Sequence, residues 1–221
     1  MSIAWSDVAE FLKSASILVA SGVAIWGISA WRREHVGKKR LDTAEEMLSL
    51  FYQARDAISE IRNPGSHISE ASDRPRQPVE NEEDARVRDL AYIPFGRYQK
   101  QSELFGKLKS VRYRAMAQFG FSAGKPFDDL ERIIREILSA AMALSRLWKK
   151  SENPSAEERH LTYQREMEAC IWAGVDAEGR PDAWAVRVDA IVSEVERLAR
   201  PQIDRAFGGW RWRKQRKGVG M

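Results

Sequence analysis

Residues 14–31 read SASILVASGVAIWGISAW and run straight into Arg32 and Arg33. No charge interrupts these 18 residues. At ~1.5 Å per helical residue they span about 27 Å, against a bilayer hydrocarbon core of ~30 Å. Phe11 and Leu12 extend the run if the Lys13 ammonium snorkels outward. Trp5, Trp26 and Trp31 lie near its ends, where indoles favour a headgroup zone. This pattern predicts a transmembrane helix, with Ser14, Ile17, Leu18, Val19, Val23, Ile25, Trp26, Ile28 and Trp31 as its anchoring side chains. The competing reading is a helix buried in a protein core. Ser16, Ser21, Ser29, Gly22 and Gly27, which make the run only moderately apolar, are compatible with it.

Charge around the run is lopsided. Lys13 alone precedes it, whereas Arg32, Arg33, Lys38, Lys39 and Arg40 follow. The excess of cations behind a span predicts a bacterial inner-membrane protein with its N-terminus outside and the rest cytoplasmic. Asp7 and Glu10, with no A-x-A-like site, argue against a cleaved signal peptide. A single cysteine, Cys170, fits a reducing compartment and rules out an intrachain disulfide. Ser16, Ala20, Ala24 and Gly27 share one helix face, the small-residue spacing that lets two spans approach closely.

Composition bounds the remainder. With 31% charged and 43% hydrophobic residues, this chain of 221 residues has a globular composition, and the part after the run suffices for one domain. The net charge of +4 is unevenly placed. From Arg205 onward there are six cations and no carboxylate side chain, which leaves 30 basic against 32 acidic residues elsewhere.

Apolar residues after the run recur at three and four, and no alternating strand pattern occurs, so the fold class is all-α. A helix over about 41–62 buries Met47, Phe51, Ala54, Ile58 and Ile61. Only Gly37 weakens its continuity with the preceding run, so the two can form one rod. Asn63-Pro64-Gly65 ends it. Residues 66–83 are polar and carry Pro75 and Pro78, the composition of an exposed loop. The helical pattern over about 85–119 contains Pro94, which predicts a break or kink near Ile93. Beyond it Leu104, Leu108, Val111, Ala115 and Phe119 line one face. Residues 120–125 form a turn, and Pro126 suits the start of a helix that buries Phe127, Leu130, Ile134, Ile137, Ala141, Leu144 and Trp148. Ser155-Ala156-Glu157-Glu158 has capping-box form. The last helix carries Trp184, Val188, Ile191, Val195 and Leu198, and Pro201 kinks or shortens it. The expected organisation is a transmembrane helix with a basic flank (1–40), an antiparallel helical bundle (41–207, with 66–83 as a loop) and a basic tail (208–221).

Chemistry-bearing motifs are scarce. His35, His67 and His160 are scattered, and no zinc or di-metal spacing exists. Gly120 to Pro126 invites comparison with a phosphate loop. It has three residues between its glycines rather than four, and Pro126 stands where a magnesium-binding hydroxyl belongs. The carboxylates Glu45/Glu46, Glu82/Glu83 and Glu166/Glu168 are one or two apart and point in different directions. No catalytic residue, metal site, cofactor or small-molecule substrate is inferred.

The tail interleaves indoles with cations: Trp210, Arg211, Trp212, Arg213, Lys214, Arg216 and Lys217. With Arg32, Arg33, Lys38, Lys39 and Arg40 it forms a candidate contact to an anionic lipid surface. The rival readings are nucleic acid, through phosphate contacts and base stacking, and a solvated terminus.

Trp31-Arg32-Arg33-Glu34, Gly37-Lys38, Ala44-Glu45-Glu46, Tyr52 to Ile58, Arg112-Tyr113-Arg114 and the helix from Phe127 together resemble a group of bacterial single-span membrane proteins of unknown function. The resemblance implies an N-terminal anchor and a cytoplasmic helical domain, and carries over no catalytic residue. The expected role is a membrane-anchored interaction, scaffold or sensor component, with lipid and another protein or a second copy as partners. Two alternatives stand beside it: an oligomerising membrane effector using the Ser16/Ala20/Ala24/Gly27 face, and a tail-mediated nucleic-acid binder.

Overall fold

A computed structural model describes residues 5–65, 68–76, 78, 80–147, 154–174 and 182–206. Among them the chain is all-α: α1 (Trp5–Ile61), α2 (Glu82–Lys100), α3 (Ser102–Phe119), α4 (Lys125–Leu147), α5 (Pro154–Ile171) and α6 (Ala183–Ala206). Short 3₁₀ turns occupy Ile68–Ala71 and Phe121–Gly124. The chain divides into two compact units, Met1–Asp42 with Asp204–Met221, and Thr43–Ile203.

The second unit holds the core. The expected stripe of Met47, Phe51, Ala54, Ile58 and Ile61 on α1 is buried. It meets Phe105, Leu108, Val111 and Ala115 of α3, Phe127 to Leu144 of α4, and Val188 to Ala199 of α6. Phe51 meets Phe127 edge-on at 4.8 Å between ring centroids, the favoured aromatic geometry. Ion pairs bind the same helices at the rim: Arg114 to Glu46, Arg112 to Asp128 and Arg187 to Glu136, each 2.7–2.8 Å. Tyr52 donates its phenolic proton to Glu196, joining α1 to α6.

Local chemistry explains where helices begin and end. Asn81 caps α2, its Oδ1 accepting from the Asp84 amide at 2.7 Å, and Glu82, Glu83 and Asp84 fill the first turn, where the helix dipole favours anions. Gly120 stops α3 with φ +97° and ψ 166°, a conformation in which a Cβ is strained. Asp182 caps α6 by accepting from the amides of Trp184 and Ala185. Trp148, the capping-box side chains from Ser155 to Glu158 and the tail 207–221 lie outside the described residues or side chains.

Two expectations are corrected here. Pro94 does not break the chain near Ile93: it sits inside α2, fully buried, and the interruption comes at Gln101. Packing outweighs the lost backbone bond, and the Gln101 amide turns inward onto the Tyr98 carbonyl instead. Pro201 lies inside α6, which is described to Ala206. The 66–83 segment, expected as a loose loop, contains a 3₁₀ turn and is laced by charge. Arg74 donates to Asp89 at 2.6 Å and Glu80 at 2.9 Å, and Arg88 reaches Glu80 at 2.9 Å. The Arg74 and Glu80 side chains are only 8% and 4% exposed. Hydrogen bonding to Arg74 holds the Glu80 carboxyl below its ordinary range.

The membrane expectation is overturned. Among the described residues, no helix is long and apolar enough to cross a membrane. The stretch is only moderately apolar, with Ser16, Ser21, Gly22 and Gly27 interrupting it. The anchor assignment, the single-pass topology, the bacterial inner-membrane placement and the N-out orientation fall with it. The expected continuity of the rod is what the structure shows: α1 runs unbroken through Gly37.

Candidate functional site

Among the described residues, the 14–31 stretch carries a run of exposed large apolar side chains. Leu18, Val19, Val23, Ile25, Trp26, Ile28 and Trp31 are all 61–74% exposed. With ~3.6 residues per turn they fall on every side of α1. Ser16, Ala20, Ala24 and Gly27 share a face there and are exposed too. Among the described residues, a Cβ built on Gly22, Gly27 or Gly37 would meet nothing within 4 Å. Arg32, Lys38 and Arg40 are exposed on the same helix, as is Lys39, and Trp31 stacks on His35 at 5.5 Å. The side chains of Ser14, Ile17 and Arg33, and the tail residues Trp210 to Lys217, lie outside those described.

Two buried arginines were not singled out by sequence. Arg62 lies 3% exposed beyond the end of α1. Its Nε donates to the Cys170 carbonyl and one Nη to the Ala169 and Trp172 carbonyls, at 2.9–3.3 Å. Its other Nη forks onto both Asp182 oxygens at 2.7 and 2.9 Å. One guanidinium thus closes the end of α5 and, through Asp182, holds the start of α6. Arg97 of α2 does the same for α1, donating to the carbonyls of Glu60, Asn63 and Gly65 while forking onto Glu70 at 2.7 and 3.0 Å. A signal existed for Arg97: it continues the buried stripe of Val87, Ala91 and Pro94, a cation on an apolar face. These sites are saturated with hydrogen bonds and have no capacity left for a substrate.

The remaining chemical candidates are also committed. Burial pushes the Cys170 thiol up to about 11, which keeps it protonated and poorly nucleophilic at neutral pH. Lys125, next to the phosphate-loop-like turn, bonds Asp129 at 2.6 Å and approaches Glu194 at 3.7 Å. Gly124 is buried under Met116. No cluster of three or more metal-ligating side chains exists among the described residues. A cavity of about 240 Å³ beside Arg62 is lined by Asp182, which is bonded to Arg62, by the Arg55–Asp56 pair and by Asp189.

Comparisons with family models, with curated proteins and with solved structures found no match for this chain. The functional reading therefore rests on the exposed segment of α1 and on the surface of the bundle.

Proposed function

We propose that the chain is a self-assembling interaction module, in which copies associate through residues 16–31 of α1. One observation carries this reading: seven large apolar side chains encircle a helical segment and remain exposed. Contiguous exposed apolar surface of this kind marks an association site, and a helix apolar on all sides requires burial.

Magnitudes decide the order of assembly. Complete burial of such a side chain stabilises by roughly 1.5–3 kcal/mol. A pair of helices covers about half of seven, or on the order of 5–10 kcal/mol, which association costs of ~4–15 kcal/mol largely offset. More than two copies are needed to cover the circumference. Charge sets the direction: Asp7 and Glu10 precede the segment, and Arg32 and Arg33 follow it. Antiparallel neighbours centred on Ala20 bring these opposite charges level, whereas parallel neighbours align cations with cations. Four copies are the smallest closed antiparallel arrangement that encloses every face.

Light scattering on the full chain is expected to show an assembly larger than a dimer, reduced to monomer by Leu18→Ser, Ile25→Ser and Ile28→Ser together. Oxidation of Ala20→Cys should cross-link copies, whereas Ser16→Cys should do so only when Ala24→Cys is present. The buried native Cys170 does not interfere. A full-length chain that stays monomeric at high concentration would falsify the proposal; self-linking of Ser16→Cys alone would overturn the antiparallel order.

A further inference from the structure

A second surface feature lies within the bundle, away from α1's exposed segment in sequence and independent of assembly. Between α2, α3 and α4 there is an open cavity of about 280 Å³. Its floor is apolar: Phe105, Leu108, Phe127, Leu130 and Ile134 are all buried. Its rim carries three cations, Lys109, Arg112 and Arg135, against a single carboxylate, Glu131. Among the described residues, neither Lys109 nor Arg135 makes an ion pair. Arg112 uses one Nη on Asp128 at 2.7 Å and lies over the Tyr113 ring at 5.6 Å. Its Nε is buried and has no acceptor. Buried guanidinium donors are normally satisfied, so an unfilled one on a side chain lining a cavity marks a place for an incoming oxygen.

We propose that this cavity binds a medium-chain aliphatic carboxylate, with the chain on the Phe105/Leu108/Phe127/Leu130/Ile134 floor and the carboxylate at Lys109, Arg112 and Arg135. Small-molecule sites have this form, an apolar pocket with a few convergent polar groups. Even with Arg112 neutralised by Asp128, the rim keeps an excess of one positive charge, so an anion is selected over an amine. A volume of about 280 Å³ accommodates about nine groups of water size at ~30 Å³ each, room for a chain of about eight carbons. The exposed positions of Lys109 and Arg135 let the head group keep partial contact with water while the tail is desolvated.

Titration calorimetry of the full chain with octanoate, octylamine and octanol tests this. Octanoate is expected to bind saturably at one site per chain, octanol more weakly and octylamine not at all. Lys109→Glu with Arg135→Glu replaces two exposed side chains and should weaken octanoate about tenfold or more, the loss of one to two charge-assisted contacts. Lys109→Arg with Arg135→Lys should restore it. Leu138→Trp, at the half-buried wall, should exclude the chain without touching the cations. Thermal melting followed by circular dichroism verifies that each variant is folded. Equal binding of octanoate and octylamine overturns the proposal, because the cavity is then an apolar groove without anion selection. Octanoate binding unchanged by both the charge reversal and Leu138→Trp overturns it as well, by placing the ligand elsewhere, including the apolar segment of α1.

Discussion

Arg62 and Arg97 each gather carbonyls that a helix end leaves without partners, and each anchors that cluster to a carboxylate. Helix termini expose up to four such carbonyls, and a buried terminus without donors is costly. Removing one member of a buried, hydrogen-bonded pair costs about 3–5 kcal/mol, because the other charge is left stranded. Arg62→Ala is therefore expected to lower the unfolding free energy by about that amount in urea titrations. Asp182→Asn should cost less, since its amide oxygen still caps α6. The pair also sets an acid limit. Burial alone would raise the Asp182 carboxyl, but hydrogen bonds and charge from Arg62, with the Ala185 and Trp184 amides, bring it below its ordinary 3.8. A depressed folded-state value stabilises in full above the unfolded value and is lost as pH falls through the folded one. Stability of the parent chain should therefore decline below about pH 4, and part of that decline should vanish in Asp182→Asn. Cys170 gives the opposite edge: its thiol is raised from 9.0 to about 11 by burial. Stability declines between those values, where only the unfolded thiol ionises. At pH 8 a thiol reagent should label the chain no faster than it unfolds; immediate labelling would show that Cys170 is accessible.

At the scale of elements, turn chemistry and packing act with different strengths. Gly120 adopts φ +97° and ψ 166°, a region close to glycine-only, and it also donates its amide to the Met116 carbonyl. Gly120→Ala should destabilise by ~1–3 kcal/mol through backbone strain alone, because a Cβ there would meet nothing within 4 Å. Gly124 is the contrasting case, with the Met116 sulfur 2.9 Å from a built Cβ, so its restriction is contact rather than dihedral. Pro94 shows packing prevailing over propensity. Its ring is fully buried, and α2 continues one further turn so that Arg97 reaches the end of α1. A proline in a helical pattern reads as a break when only the lost backbone bond is weighed. The 66–83 segment reads as a loop for a similar reason: polar composition does not reveal that Arg74, Arg88, Glu80 and Asp89 are mutually complementary across it.

For the whole molecule, the distribution of burial marks where the core lies. Among the described residues, no buried residue precedes Thr43, and the hydrophobic cluster runs from Ala44 to Ala199. Removing residues 1–40 should leave a unit that unfolds cooperatively in urea, with a midpoint close to that of the full chain, while abolishing assembly. A midpoint lowered as far as by a core replacement such as Phe51→Ala, about 3–5 kcal/mol, would show instead that the first unit supports the second.

Periodicity in the sequence determined the helical class, the continuous first rod and the buried stripes on α1, α3, α4 and α6. Apolar spacing along one helix is a local property and needs no knowledge of neighbours. Turn residues determined the ends near Asn63 and Gly120, since φ and proline restrictions are equally local. Tertiary structure alone decided the roles of Arg62 and Arg97, because their partners lie 27 to 120 residues away. It alone brought Lys109, Arg112 and Arg135 around an apolar floor, since α3 and α4 had to pack before their cations met. It also redirected the opening stretch. Hydropathy and length describe how one helix compares with a bilayer. What that helix buries depends on which surfaces the described chain leaves uncovered, and here the large apolar side chains described between Leu18 and Trp31 stay 61–74% exposed.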